Sequence, residues 1–379
     1  MGRYCQTLKI RSLTTVKHRM SCMEMEDALT HKILYVGSLA SGTTSSYRYH
    51  ALKRLQQEVI PFDWTEYRYK SGIMNSLVGR FPVGALVSRV NADLVAAVEK
   101  ESPDVVWFDK PIRFTPATIR RVKELGAFTI CYTQDSPFGP RNDGCWHQFY
   151  RICRMLDLHC LFRNADVLRY KDWGLNYIKT QFSYDPVHDF PPPPVWSDAD
   201  RTREVSYIGR AYEDRPRFLA ALIETYKLPV AISGDEWGKA YRKSELARYA
   251  SDGMLRDADY RKAIWKSKIN LSFITHSNED DVAHKAFEIT ACRSFLLALR
   301  SPEHQAAFEE GKEAEFFSSV EECADKIRYY LDHPAEREGI AKRGCERAKR
   351  SGYDNDTQLS RILNRMEELR AASGKGMGS

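Results

Sequence analysis

The run Phe190-Pro191-Pro192-Pro193-Pro194-Val195-Trp196 constrains this chain most. Four consecutive prolines lack the N–H groups that a helix interior or a central strand needs, and their fixed φ suits an extended connector. The polar stretch Asp198 to Arg203 follows directly. The chain is therefore expected to divide there into two domains. At 379 residues it is long enough for two domains of ordinary size.

On both sides of the prolines, short apolar runs alternate with segments of helical period. Before them, strands are predicted at Lys32 to Gly37, Val59 to Phe62, Val105 to Phe108, Phe128 to Tyr132 and Asp157 to Phe162. Helices are predicted at Tyr47 to Gln56, Ser76 to Lys100, and Pro116 to Leu125, the last ended by Gly126. After the prolines, strands are predicted at Val205 to Ile208, Val230 to Ser233, Ile269 to Phe273 and Phe295 to Leu299. Helices follow at Ser319 to Leu331, Pro334 to Lys349 and about Asn355 to Ala372. Such alternation indicates α/β architecture with parallel sheets covered on both faces. Ligands of such sheets bind at the carboxyl ends of the strands, and two facing units place the site in the cleft between them.

Composition excludes several classes. The net charge of +6 is spread along the chain without a block of like charges, which argues against a nucleic-acid partner and suits an anionic small ligand. A basic surface is also compatible with peripheral contact to an acidic membrane leaflet. No run approaches the ~18 apolar residues of a membrane span. Nine cysteines, an odd number without a C-x-x-C pair, point to a reducing cytoplasm rather than a disulfide framework. The ten histidines form no H-E-x-x-H or H-x-x-x-H pattern, so no metal site is expected. Residues 1–30 are partly basic, lack the apolar core of a signal peptide, and are expected to form a loosely ordered leader. Gly374 to Ser379 is expected to be a flexible tail.

Several residues could carry chemistry. Glu288 is expected at the start of a short helix, where a carboxylate serves either as a dipole or capping partner or as an acceptor for sugar hydroxyls. Glu279, Asp280 and Asp281 precede it, and His284 and Lys285 lie between. Arg210 follows a predicted strand and Gly209, and Arg215 opens the next predicted helix. Gly allows close approach, and the guanidinium fork matches phosphate oxygens; the alternative is two surface arginines. The loop from Gly37 through Gly42 and Thr43 to Ser46 is neither a P-loop nor a G-x-G-x-x-G turn. It either cradles an anion, contacts sugar hydroxyls, or is an ordinary turn rich in helix caps. Asp135, after the strand Phe128 to Tyr132, sits where α/β active sites sit, as a general base or as a loop cap before Ser136-Pro137. Asp143 and His147 lie near it in sequence.

These segments, in this order, resemble the spore-maturation CgeB-like branch of glycosyltransferases, related to the family 4-type enzymes. The likeness is carried by Lys268-Ile269-Asn270-Leu271-Ser272-Phe273, Phe287-Glu288-Ile289-Thr290-Ala291-Cys292, Glu303-His304, Phe308-Glu309-Glu310-Gly311-Lys312-Glu313-Ala314, Phe316-Phe317 and Tyr329-Tyr330-Leu331. It extends faintly back through Gly209, Thr133-Gln134-Asp135 and the Gly37 loop. The resemblance implies a GT-B fold of two Rossmann-like domains, residues 31–190 on the acceptor side and 205–353 on the donor side. A linker at 191–204 joins them, and a helix at 354–373 crosses back. It further implies a nucleoside-diphosphate-sugar donor, a glycan, lipid-linked or protein hydroxyl as acceptor, no cofactor or essential metal, retention at the anomeric carbon, and a role in polysaccharide biosynthesis.

By the same resemblance, Glu288 would hold the donor ribose and Asp280, eight residues earlier, would stand where the family has a sugar-contacting glutamate. Arg210 and Arg215 would clamp the diphosphate. The loop Asp252-Gly253-Met254-Leu255 would frame the base. Arg293 departs from the family, which has glycine after Ala291-Cys292. A GT-B epimerase or hydrolase and a non-catalytic nucleotide-sugar-binding protein are the alternatives. The sequence leaves the oligomeric state open.

Overall fold

The structure is a computed structural model that describes residues 29–140, 144–242 and 244–375. The expected leader lies outside these residues except for Leu29 and Thr30; Asp143 and residues 376–379 also lie outside them.

The first half forms six parallel strands: β1 (Lys32–Gly37), β2 (Glu58–Asp63), β3 (Val105–Asp109), β4 (Phe128–Tyr132), β5 (Leu158–Leu161) and β6 (Tyr177–Lys179), in the order β2-β1-β3-β4-β5-β6. Register follows the apolar pattern. Ile33 stands opposite Val59 and Val105. Both faces are buried: Ile33 and Tyr35 join one core cluster, and Leu34 and Val36 the other. A strand without a solvent face reads as a continuous apolar run, as β1 and β3 do.

The second half repeats the plan with β7 (Arg203–Ile208), β8 (Val230–Gly234), β9 (Ala250–Asp252), β10 (Ser267–Ser272), β11 (Leu296–Leu299) and β12 (Glu315–Phe317), in the order β12-β11-β10-β7-β8-β9. Again Val205 and Tyr207 face one cluster while Ile208 faces another.

The proline run does not hang free between the sheets. Phe190 and Trp196 pack edge-on against Trp265, with ring centroids 5.5 and 5.9 Å apart. The Trp265 indole N–H donates to Phe190 O at 2.8 Å.

The last helix, Asn355–Lys375, returns to the first sheet. Leu359, Ile362, Leu363 and Met366 enter the core that holds Ala51 and Leu52. Each such side chain contributes about 1.5–3 kcal/mol. The partly exposed Arg54–Asp356 pair beside them contributes about 0–1 kcal/mol, so apolar burial fixes this helix in place.

Three expectations need correction. The single helix expected over Ser76 to Lys100 is two helices, Gly72–Arg80 and Ala85–Glu101. Pro82 cannot continue the first, and Gly84, at φ 95°, turns the chain into the second. The helix expected from Tyr47 begins at Thr44, because Thr43 accepts from the Ser46 N–H as its cap. Finally β6, β9 and β12 went unread. All three are three-residue strands at sheet edges, with too little period to be seen.

Candidate functional site

A cavity of about 310 Å³ opens at the carboxyl ends of β7, β8 and β10. Its walls include Gly209, Arg210, Arg215, Asp235, Leu255, Tyr260, Asp280, His284 and Lys285. The cavity thus lies where the strand-end rule of open α/β sheets puts a ligand, on the second sheet. Close approach of β7 and β8 makes glycine necessary there. A Cβ on Gly209 would lie 2.6 Å from Tyr207 Oη, and one on Gly234 would lie 2.2 Å from Gly209 O.

The two arginines differ. Arg210 is 42% exposed along its side chain and lies 3.4 Å from Asp235. Its Nη1 donates to Tyr212 Oη at 3.0 Å. Arg215 is 8% exposed and is the first residue of the helix Arg215–Glu224. Its Nη1 donates to Tyr207 Oη at 3.1 Å, and its Nη2 to Thr275 Oγ1 at 2.7 Å and Ile274 O at 3.2 Å. Its Nε is buried with no hydrogen-bond partner. A buried cation with an unused donor is costly unless an acceptor arrives. The positive end of the helix lies beside it, and no acidic residue occupies that first turn. Of the two alternatives read from the sequence, Arg215 is therefore not a surface arginine.

Glu288 is not at a helix start. The helix runs His284–Ala291, so Glu288 sits in its second turn, and capping is excluded as its role. It lies behind the cavity wall rather than on it. Tyr260 Oη donates to Glu288 Oε2 at 2.6 Å, His284 Nδ1 is 3.9 Å from Oε1, and Lys285 Nζ is 3.5 Å from Tyr260 Oη. Burial works to raise the Glu288 pKa, but His284, Lys285 and the Tyr260 hydroxyl outweigh it and hold the carboxyl below its usual range. Burial lowers the Lys285 pKa against the pull of Glu288. Asp189, beside the proline run, is pushed well above the usual carboxylate range by burial and then by the Glu288 charge.

The acidic run meets residues that follow β5 of the first sheet. Glu279 takes two hydrogen bonds from Arg169, at 2.8 and 3.0 Å. Asp280 accepts from Arg163 Nε at 2.9 Å, and Asp281 from the Asn164 N–H at 2.7 Å. These three residues clasp the start of the helix Asn164–Asp172. Burial pushes the Asp280 carboxyl up to about 6, against the opposing pull of Arg163. Asp280 still lines the cavity, but its carboxylate is engaged across the cleft.

Asp135 follows β4 and pairs with Lys110 at 2.5 Å. The next residue, Ser136, donates its N–H to Asn278 Oδ1 at 2.9 Å, so Asp135 lies beside the loop that carries Asp280. The Gly37 loop does not line the cavity. Gly37 is packed against Ser45, Tyr35 and Asp109. Thr43 is a helix cap, and Gly42 lies against Arg256. Ser41 of the loop and Tyr47 of the following helix instead bond Asp257 at 3.2 and 2.7 Å. Gly253, at φ 114°, has open space around its α-carbon, next to the cavity residues Met254 and Leu255.

Arg293 does not reach the cavity. It is exposed at φ 50°, one residue past the Cys292 C-cap. That left-handed position after a helix is where glycine is most favoured, which accounts for the glycine of the CgeB-like pattern without any ligand contact. Among the described residues, no group of three or more His, Cys, Asp or Glu is arranged to hold a metal ion.

Sequence reasoning missed Tyr207, Tyr260, Thr275 and Arg163. Arg163 stands just past β5, so the strand-end rule that singled out Asp135 also applied to it. Tyr260 had no local signal; it meets Glu288 only through the fold.

Two facing parallel sheets with a cavity on the second define a GT-B architecture. Within it, residues 210–364 match the family described as glycosyl transferase-like, a segment that begins at Arg210 and contains Arg215 and Glu288. No curated protein matches the chain. Sucrose-phosphate synthase from Thermosynechococcus elongatus superposes with a TM-score of 0.62 at 11% identity, over 90% of this chain and 100% of that one. HepE from Anabaena, solved with UDP-glucose, gives 0.62 at 13%, over 89% and 100%. A putative UDP-N-acetylglucosamine 2-epimerase from Listeria monocytogenes gives 0.51 at 12%, over 89% and 95%.

Proposed function

We propose that the chain transfers a sugar from a nucleoside-diphosphate sugar to a hydroxyl acceptor. The observation that carries this is Arg215, buried at the cavity wall on a helix N-terminus with its Nε unpartnered. Donor phosphate would supply the missing acceptor. In the transfer, the bond from the anomeric carbon to the phosphate oxygen breaks, and the diphosphate leaves with the electron pair. The acceptor oxygen forms the new bond and releases its proton. Arg210 and Arg215 stabilise the charge growing on the diphosphate, a task that needs no metal ion.

Glu288 supports the ribose site from behind the wall, by fixing Tyr260, His284 and Lys285, which line the cavity. Leu255 and its neighbours face the base, and Asp135 the acceptor. Retention, membership of the CgeB-like branch and a cytoplasmic role in polysaccharide biosynthesis belong to the same proposal, resting on the resemblance. The complex of HepE with UDP-glucose makes uridine the first base to try. Calorimetry with nucleoside-diphosphate sugars on the wild type, Arg210→Ala and Glu288→Ala tests the assignment. Unchanged affinity in both variants would sink it.

The similarity to the putative epimerase favours a second reading, in which the donor itself is the substrate. Product analysis without acceptor separates the two: an isomerised or hydrolysed donor supports the second reading, and consumption only with acceptor supports transfer.

A further inference from the structure

Exposed apolar side chains are not scattered evenly over the molecule. Of the thirteen large hydrophobics exposed among the described residues, five fall between positions 73 and 83: Ile73, Met74, Leu77, Phe81 and Val83. Ile73, Leu77 and Phe81 recur every four residues and so form one stripe, with Met74 beside it. Ile73 is 76% exposed and Val83 61%. The helix Gly72–Arg80 buries only Val78, so packing against the domain does not account for its apolar residues. A contiguous apolar face of this kind marks a contact surface.

The surface is held in place from beneath. Pro82 is buried, and its carbonyl accepts from Gln148 at 3.2 Å. The Phe81 ring stacks on His147, with centroids 6.2 Å apart. Ser71 caps the helix. Two residues along from Gln148, Trp146 lies under Lys110, which pairs with Asp135. The patch therefore borders the acceptor side of the cleft.

Charge decides among occupants. From Tyr67 to Ala92 the chain carries Arg68, Lys70, Arg80 and Arg89 and no acidic residue. Arg68, Lys70 and Arg80 are exposed, and Lys70 and Arg80 flank the helix in sequence. A short helix with an apolar stripe flanked only by cations suits the boundary of an anionic bilayer: the apolar side chains enter it, and the cations meet its phosphates. No single helix among the described residues is long and apolar enough to cross a membrane; this helix and the next reach that length and apolarity only as a pair, bent by 69° across residues 81–84. The surface thus suits lying on a bilayer.

We propose that Ile73, Met74, Leu77, Phe81 and Val83, with Arg68, Lys70 and Arg80, dock the first domain onto an anionic lipid surface. The proposal stands apart from the donor site, which lies in the other domain. The test is co-sedimentation of the full chain with vesicles of phosphatidylcholine alone or mixed with phosphatidylglycerol. The wild type is expected to pellet with the mixed vesicles and not with the neutral ones. Ile73→Ser/Leu77→Ser/Phe81→Ser and, separately, Arg68→Glu/Lys70→Glu/Arg80→Glu are expected to weaken binding roughly tenfold or more. Both variants change exposed side chains, and an unaltered melting curve establishes that they fold. Three results would overturn the proposal: no pelleting with anionic vesicles, pelleting that both folded variants retain, or a solution dimer that the serine variant dissolves. The last would make the patch an interface between two copies.

Discussion

Tyr260 donates a 2.6 Å hydrogen bond to Glu288, 28 residues further along the chain. The phenol belongs to the helix Asp257–Trp265 and the carboxylate to the helix His284–Ala291. Burial, followed by the Glu288 charge, raises the Tyr260 pKa well above its usual value, so Tyr260 remains a donor. After the charges of His284 and Lys285, the bond helps to keep a buried carboxylate ionised behind the cavity wall.

Tyr260→Phe removes that donor without changing the ring. A charged group left short of a hydrogen bond costs about 1–3 kcal/mol, and chemical denaturation is expected to show a loss in that range. An unchanged midpoint would mean that Glu288 finds another partner.

The clasp between the acidic run and the helix Asn164–Asp172 contains two ion pairs of unequal weight. Arg163 is 1% exposed along its side chain and Asp280 13%, whereas Arg169 is 33% exposed. Truncating a buried partner strands the other charge, at about 3–5 kcal/mol, while an exposed pair contributes about 0–1 kcal/mol. Arg163→Ala is therefore expected to lower the melting temperature far more than Arg169→Ala. Equal shifts would contradict this ranking.

Asp280 gives a pH signature. Its folded pKa, about 6, lies above the ordinary value of 3.8, so the folded state binds more protons in between. Its contribution to stability is complete below pH 3.8 and is lost as pH rises towards 6, by roughly 3 kcal/mol. Denaturation of the wild type and Asp280→Asn across pH 4–7 isolates this term from the carboxylates that titrate the other way. The wild type should lose ground to the variant as pH rises; a constant difference would contradict the assignment.

Arg293 occupies a left-handed position at φ 50°. A side chain there costs about 1 kcal/mol relative to glycine. Arg293→Gly is expected to raise stability by about that amount and leave nucleotide affinity unchanged. A fall in affinity would place the Arg293 side chain in the site.

The two-sheet plan was legible because β1 and β3 are buried on both faces and read as apolar runs, while β4, β7 and β10 keep enough apolar residues, such as Ile130, Val205, Tyr207, Ile269 and Leu271, to be read as strands. Pro82 was a legible stop that the apolar period on either side of it concealed. Arg210, Arg215, Gly209, Leu255, Asp280, His284 and Lys285 were read as one site and do line one cavity. The direction in which side chains point was not legible. Asp280 turns to Arg163, 117 residues earlier, and no local pattern encodes that pairing. Glu288 was misplaced by one helical turn because the helix begins at His284, after an Ala283 N-cap whose side chain makes no capping bond. Such a start has no signature in the sequence.

Arg215 carries the central claim, and calorimetry of UDP-glucose binding to the wild type, Arg215→Lys and Arg215→Ala tests it most directly. Lys keeps the charge but loses the fork that also holds Tyr207, Thr275 and Ile274. A charge-assisted hydrogen bond contributes about 1.5–3 kcal/mol, so Arg215→Ala should weaken binding by roughly 10–150-fold, with Arg215→Lys between it and the wild type. Binding by the wild type that a folded Arg215→Ala variant retains in full would contradict the account.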